Sequence, residues 1–289
     1  MISERFFSLQ TVTAACSAFA VFAGVSFGAG DAAAQSTLEK MQKAGVARMA
    51  IAHEPPFTDY KPGGELTGAS ADLTREIMKR LGVAKIEPQV TEFGAMIPGV
   101  QARRFDVIST GLFMRPQRCA AILFSQPDTC TSRGFAVKKG NPKKLDSMES
   151  VRDSKDAKLG ACGGCYDETR AIEVGVPRDR IVNVTDVLNS LKMLQAGRVD
   201  AVAWPDISIK DALPKLGDPN LELVVVKGID PQCSGAGFHK DDKDLRDKYD
   251  VELDKMKKSG EFGAIMTKYN FNPQYAIDNT RDKCCGGPT

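Results

Sequence analysis

The chain has 289 residues, 42% of them hydrophobic and 26% charged, which suits one large folded domain or two of ordinary size. Its formal net charge is only +2 and no long basic run occurs, which speaks against a nucleic-acid partner.

The first element is a leader. Arg5 is followed by an apolar and small-residue stretch from Thr11 to Gly28, and Ala32-Ala33-Ala34 precedes Gln35. This is the pattern of a secretory signal peptide with an A-x-A cleavage site, so residues 1–34 are read as a signal peptide and the mature chain as exported. A membrane anchor is the competing reading, but the stretch is short and rich in Ala and Gly. A lipoprotein site at Cys16 does not fit, because Thr13-Ala14-Ala15 lacks the usual upstream leucine. Losing Glu4, Arg5 and Asp31 makes the net charge +3. No other segment approaches the roughly 20 apolar residues of a membrane helix, so no span is expected in the mature chain.

Next come a short helix over 37–45 and a buried strand over Arg48–Ala52. The spacing of Leu73, Ile77, Met78 and Leu81 predicts a helix over Ser70–Leu81, ended by Gly82. Lys85–Val90 reads as a strand, Met96–Ala102 as a short helix, and Phe105–Thr110 as a strand. Ile181–Val184 and Ala201–Ala203 are short, largely apolar runs like parallel strands, with a helix from about Val187 to Ala196 between them. Leu245–Met256 and Glu261–Tyr269 carry helical patterns, and the tail from Asn270 onward reads as irregular. The alternation predicts an α/β fold with mainly parallel sheets, whose ligands sit at the carboxyl ends of the strands. Loops 53–60, 111–118, 160–166 and 204–206 follow predicted strands and are the candidate site. Phe135–Lys138 reads as a strand leaving one lobe, and Ala236–His239 as its return. The expected division is a leader over 1–34, lobe 1 over 35–131, lobe 2 over 132–233, and over 234–289 the return to lobe 1 with the tail.

Seven cysteines follow the leader: Cys119, Cys130, Cys162, Cys165, Cys233, Cys284 and Cys285. In an exported chain most should be oxidised, and the odd count leaves at least one free or paired between molecules. Sequence alone does not fix the connectivity. A Cys119–Cys130 bridge is the first expectation, with a local bridge between Cys162 and Cys165, and Cys284 or Cys285 tying the tail to Cys233.

Several segments, in this order and spacing, resemble family 3 of the extracellular solute-binding proteins. They are Glu54-Pro55-Pro56-Phe57, Arg104-Phe105-Asp106-Val107-Ile108, Arg115-Pro116-Gln117-Arg118, Phe124-Ser125-Gln126-Pro127 and Gly197-Arg198-Val199-Asp200-Ala201-Val202. The resemblance runs from about Thr37 to Asn272. It implies a two-lobed periplasmic type II fold with two hinge crossings, serving an ABC importer from the periplasm. Thr91 to Ala102, Gly111-Leu112-Phe113 leading to Arg118-Cys119, and the later Cys130 are most similar to ectoine- and hydroxyectoine-binding members. Amino-acid binders of the family usually carry a small hydroxyl residue where Phe113 stands.

The resemblance implies a small zwitterionic ligand, the permease subunits of an importer as partners, a monomer, and no cofactor. Ectoine is a ring carrying a carboxylate and a delocalised amidinium. Arg118 matches the arginine that holds the carboxylate, as a planar guanidinium can with two parallel hydrogen bonds. Phe57, Phe93 and Phe113 match the walls of an aromatic cage for the cation, and Glu54 would balance its charge. From lobe 2, Gly164 and Cys165 lie where the family presents backbone N–H groups at a helix N-terminus, and Trp204 and Asp206 close the set. Here the chain departs from the pattern: the loop reads Gly160-Ala161-Cys162-Gly163-Gly164-Cys165-Tyr166, and Pro205 stands where many members have an aspartate. These departures bear on the exact ligand, with a betaine or a polar amino acid as the alternatives to ectoine.

Other functions suggested by individual motifs fit the sequence less well. Cys162-Gly163-Gly164-Cys165 is a C-x-x-C motif, but nothing around it resembles a thioredoxin unit. A zinc site lacks a second ligand pair, since His53 and His239 are the only histidines. A lyase or dehydratase on the same fold would need an acid–base pair, and His53 and Glu54, adjacent in sequence, should point to opposite sides. A membrane-linked sensor would need a transmembrane helix.

Overall fold

The computed structural model describes residues 35–287, so the expected signal peptide lies outside the described residues. Two five-stranded sheets organise the chain. The first, in lobe 1, runs in the order Lys85–Val90, Val46–Ile51, Val107–Ile108, Gly237–Phe238, Leu123–Phe124. The second, in lobe 2, runs Ile181–Asn183, Leu159–Ala161, Ala201–Pro205, Arg133–Lys138, Leu221–Val225. In each sheet four strands share one direction and a single strand is reversed: Gly237–Phe238 in the first, Arg133–Lys138 in the second.

Each reversed strand is the first one entered after the chain crosses between the sheets. The crossings themselves are Thr129–Thr131 and Gln232–Ser234, which pair with each other as a separate antiparallel ribbon. Phe135–Lys138 and Ala236–His239, read from sequence as the crossing strands, therefore lie just past the crossings, inside or beside their sheets. Because a reversed strand starts at the edge where its neighbours end, Arg133 stands opposite Pro205, at the carboxyl end of Ala201–Pro205.

Packing follows the alternation of the strands. In the second sheet Phe135, Val137, Leu159, Ala201 and Ala203 share one apolar cluster, while Ala136, Val202 and Trp204 share another on the opposite face. In lobe 1, Leu73, Ile77 and Met78 of the helix Ala69–Arg80 pack with Met49, Ile51, Leu253 and Phe262. Local signals set the helix ends. Ser36 and Glu39 form a capping box on Thr37–Ala44, and Asp186 caps Val187–Gln195 through the Asn189 N–H. Gly68 opens Ala69–Arg80 at φ 117°, where a Cβ would collide with the backbone of Phe57.

The tail is more regular than its polarity suggests. Helices Pro273–Ile277 and Arg281–Cys284 pack it back on the first sheet side, and Cys284 touches two apolar clusters there. A disulfide from Cys285 to Cys119 secures it.

The expected Cys119–Cys130 bridge is replaced. The ribbon register sets Cys130 directly opposite Cys233, and these two are joined. Cys119, on the separate helix Pro116–Ala121, takes Cys285. Cys162 and Cys165 are joined as expected, and Cys284 is the free thiol among the described residues.

Candidate functional site

The segments that follow five of the parallel strands contribute to one cavity between the lobes. Glu54 follows Val46–Ile51, Phe93 follows Lys85–Val90, and Gly111 and Phe113 follow Val107–Ile108. From lobe 2, Cys162, Cys165, Tyr166 and Asp167 follow Leu159–Ala161, while Trp204 and Pro205 end their strand. With Arg118 and Arg133 these residues line a tight cavity of about 10 Å³, almost filled by its own walls. Ligand binding at the carboxyl ends of the strands is the general behaviour of such sheets.

Glu54 is held by a tight turn, in which its N–H donates to the Thr58 carbonyl at 2.9 Å and its own carbonyl accepts from Phe57 and Thr58. Its carboxylate is 3% exposed, and Oε2 has no hydrogen-bond partner. Burial pushes this group up to about 8, against the opposing pull of Arg133 and Arg118. Gly111 makes room for it, since a Cβ there would stand 3.1 Å from Oε2.

Arg118, half-buried, donates through Nη1 to the Phe113 carbonyl and through Nη2 to the Gly164 carbonyl, both at 2.9 Å. Burial lowers it to about 10, helped by repulsion from Arg115 and opposed by Glu54. Arg133 is 2% exposed. It pairs with Asp167 through two hydrogen bonds, Nε to Oδ1 at 3.0 Å and Nη2 to Oδ2, while Nη1 is buried without a partner. Burial lowers its pKa to about 10 as well, against the pull of Glu54. Its guanidinium lies over the Phe113 ring, 5.0 Å from the centroid, and 5.6 Å from that of Tyr166.

The sequence-derived residues divide. Glu54, Phe93, Phe113, Arg118, Cys165 and Trp204 line the cavity. Phe57 does not: it has no exposed surface and packs edge-on behind Phe113 and against Phe271. Asp206 points elsewhere, to Lys210 at 2.7 Å, on the wall of a separate groove. Gly164 takes part through its carbonyl rather than its N–H. The N–H groups of Gly163, Gly164 and Cys165 are already given to Asn183, Glu168 and the Cys162 carbonyl. Trp204 spends its indole N–H on Ser190, which leaves the ring as an apolar wall.

Arg133 and Asp167 line the cavity outside every loop expected from sequence, and Tyr166 was expected only as part of the loop 160–166, not as a ring. The available signal was positional. A charged residue opening an otherwise small and apolar run, Arg133-Gly134-Phe135-Ala136-Val137, is out of place unless the strand is reversed and its first residue faces the cleft.

The lobes are in contact across the cleft. Besides Arg118 to Gly164, Arg115 pairs with Glu173 at 2.6 Å and lies over the Tyr166 ring. Among the described residues no cluster of His, Cys, Asp and Glu with metal-holding geometry occurs, and no helix is long and apolar enough to cross a membrane.

Two α/β lobes, a paired double crossing and a charged, aromatic cavity at the facing strand ends define a two-lobed solute-binding protein. The model of the bacterial extracellular solute-binding proteins, family 3, matches residues 47–273, and the chain belongs to that family. It is 32% identical over 260 residues, 86% of each chain, to a probable amino-acid ABC transporter periplasmic-binding protein of Sinorhizobium fredii. It is similar in structure to EhuB in complex with hydroxyectoine, at 50% identity and a TM-score of 0.84, covering 86% of this chain and 97% of that one. It is also similar, at 27% identity and a TM-score of 0.71, to an ancestral amino-acid-binding protein described as a precursor of cyclohexadienyl dehydratase; 81% of this chain and 99% of that one are covered.

Proposed function

We propose that this chain is the solute-capturing component of an ABC importer, exported to the periplasm by its signal peptide, and that it closes on a small zwitterion. Ectoine and hydroxyectoine are the leading solutes. One observation carries the reading: the cavity sets a buried, unpartnered carboxyl oxygen, Glu54 Oε2, beside two guanidinium groups, the buried Arg133 and the half-buried Arg118. Buried polar atoms are ordinarily satisfied. A solute with a cationic end for Glu54 and a carboxylate for Arg118 would satisfy both signs at once.

The aromatic residues support the same solute class. Phe93 packs against clusters of both lobes, and Phe113 and Trp204 add apolar walls beside the charged groups. The similarity to a hydroxyectoine complex supports ectoines first. A polar amino acid is the second reading, favoured by Arg133, which stands on the Phe113 face that a solute cation would otherwise use. Closure of the lobes would shape the surface read by the permease subunits, a hinge transition.

Calorimetric titration of the mature, solute-stripped protein with ectoine, hydroxyectoine, glycine betaine and single amino acids tests this. Tight binding of an ectoine alone supports the leading reading. Binding of an amino acid alone moves the assignment to the second reading, and failure of every zwitterion defeats both.

A further inference from the structure

Arg133 brings a positive charge to the place where a zwitterion's own cation would stack. The reversed strand forces it there: Arg133 is the first residue of Arg133–Lys138, opposite Pro205 at the cleft edge. Its guanidinium covers the Phe113 ring and flanks Tyr166. Such contacts strengthen where water is excluded, as it is around this buried group. Asp167 takes Nε and Nη2 and so fixes the plane of the fork, and Asp167 is itself 2% exposed. What remains is Nη1, a buried, charged donor with no acceptor, in the wall of the cavity. Leaving such a donor unsatisfied costs more than losing an ordinary hydrogen bond.

Arg118 does not relieve this need. Two of its N–H groups hold the Phe113 and Gly164 carbonyls, and the rest are available to a carboxylate. Glu54 Oε2 is unpartnered in the same wall, so it does not accept from Arg133 either. The cavity thus asks three things of a solute: a donor for Glu54, a carboxylate for Arg118, and a further acceptor for Arg133.

We propose that Arg133 is the specificity-determining residue of the cleft: it fills the aromatic face with the protein's own cation and selects zwitterions that carry a second oxygen acceptor, anionic for preference. The inference rests on the zwitterion-binding reading above. Aspartate and hydroxyectoine satisfy it, whereas alanine and ectoine lack the second acceptor.

The test is calorimetric titration of these four compounds, as matched pairs, into the stripped mature protein and into R133M and R133M/D167N. The double variant avoids leaving the Asp167 carboxylate buried and unpaired. In the wild type the acceptor-bearing member of each pair that binds should be tighter by at least about tenfold, because a site built to donate rejects the analogue without the acceptor. That ratio should fall to within about twofold in both variants, while ectoine binds more tightly as the Phe113 face is freed. A wild-type ratio near one overturns the inference and leaves the zwitterion reading standing. So does a ratio that survives in a cooperatively folded variant. If neither variant folds, the wild-type ratios decide alone. Failure of all four compounds overturns this inference, and the zwitterion reading falls with it only if glycine betaine and the other single amino acids also fail to bind.

Discussion

Arg118 and Gly164 meet across the cleft: Nη2 of the arginine donates to the glycine carbonyl at 2.9 Å, while Nη1 of the same guanidinium holds the Phe113 carbonyl. One side chain therefore lines the cavity and ties the lobes together. Arg118→Ala should weaken solute binding by more than about a hundredfold, as expected when one partner of a buried charge contact is removed. Arg118→Lys keeps the charge but loses the planar fork, and should still lose at least about tenfold. Calorimetry on both variants checks this, and near-wild-type affinity in the lysine variant would mean that a point charge is enough.

Glu54 should couple binding to protons. Burial raises it to about 8, so at pH 7 the empty site holds this proton in most molecules. A cationic solute needs the carboxylate, so capture should release close to one proton per site. The release is read from the dependence of the binding heat on buffer ionisation enthalpy, and Glu54→Gln should abolish it. For stability, a carboxyl raised in the folded state binds its proton more readily folded than unfolded. Its contribution is present below the ordinary carboxyl range and is lost as pH rises to about 8. Asp128, buried and raised to about 6, acts in the same direction. The melting temperature of the solute-free protein should therefore fall between about pH 5 and pH 8, and fall less in Glu54→Gln.

Phe57 and Phe113 should separate by what their loss damages. Phe57 is a fully buried backing residue, so Phe57→Ala should cost about 3–5 kcal/mol of stability, as large core truncations do. Phe113 lines the cavity and carries the Arg133 guanidinium on its ring, so Phe113→Ala should change solute preference at a smaller cost in folding. Chemical denaturation alongside titration distinguishes them.

Much of the strand and helix order was legible because it rests on local signals. The apolar spacing of Leu73, Ile77 and Met78 and the strand Lys85–Val90 need only their own neighbours. The loops that carry Glu54 and Phe113 were legible as the ends of predicted strands, and these two residues within them through the family resemblance; both line the cavity. Arg133 was not, because its meaning depends on the direction of a strand whose partners, Ala201–Pro205 and Leu221–Val225, lie about 70 to 90 residues away. Phe57 was misassigned by its proximity to Glu54: the turn from Glu54 to Thr58 sends one side chain to the cavity and the other to the core. The disulfides depended on ribbon register and on a tail whose short helices carry little periodicity.

The cysteine map makes its own prediction. The mature protein should yield one alkylatable thiol per chain on unfolding without reductant, at Cys284, labelled slowly in the folded state because it is half-buried. Cys130→Ser/Cys233→Ser removes a bridge spanning 103 residues of chain, worth roughly 4–5 kcal/mol in the loop-entropy view. It also unpins the ribbon that joins the lobes, so the loss of stability should come with weaker solute binding. Peptide mapping that finds Cys119 joined to Cys130 would contradict the map.

Gly164 and Gly94 offer a test of closure itself. Gly164 has φ 76°, and a Cβ there would stand 2.6 Å from the Gly94 Cα, a backbone atom of the opposite lobe that cannot swing aside. The reverse substitution is easy: a Cβ on Gly94 would find its nearest neighbour, the Gly163 carbonyl oxygen, at 3.8 Å. Gly164→Ala should therefore lower affinity by at least about tenfold, beyond the roughly 1–2 kcal/mol of folding stability lost to the left-handed backbone. Gly94→Ala, in the first turn of Phe93–Gln101, should bind like the wild type. Small-angle scattering with saturating solute would report the difference directly, with Gly164→Ala remaining open and Gly94→Ala compacting. Equal compaction in both would mean that the lobes close without bringing these two backbones together.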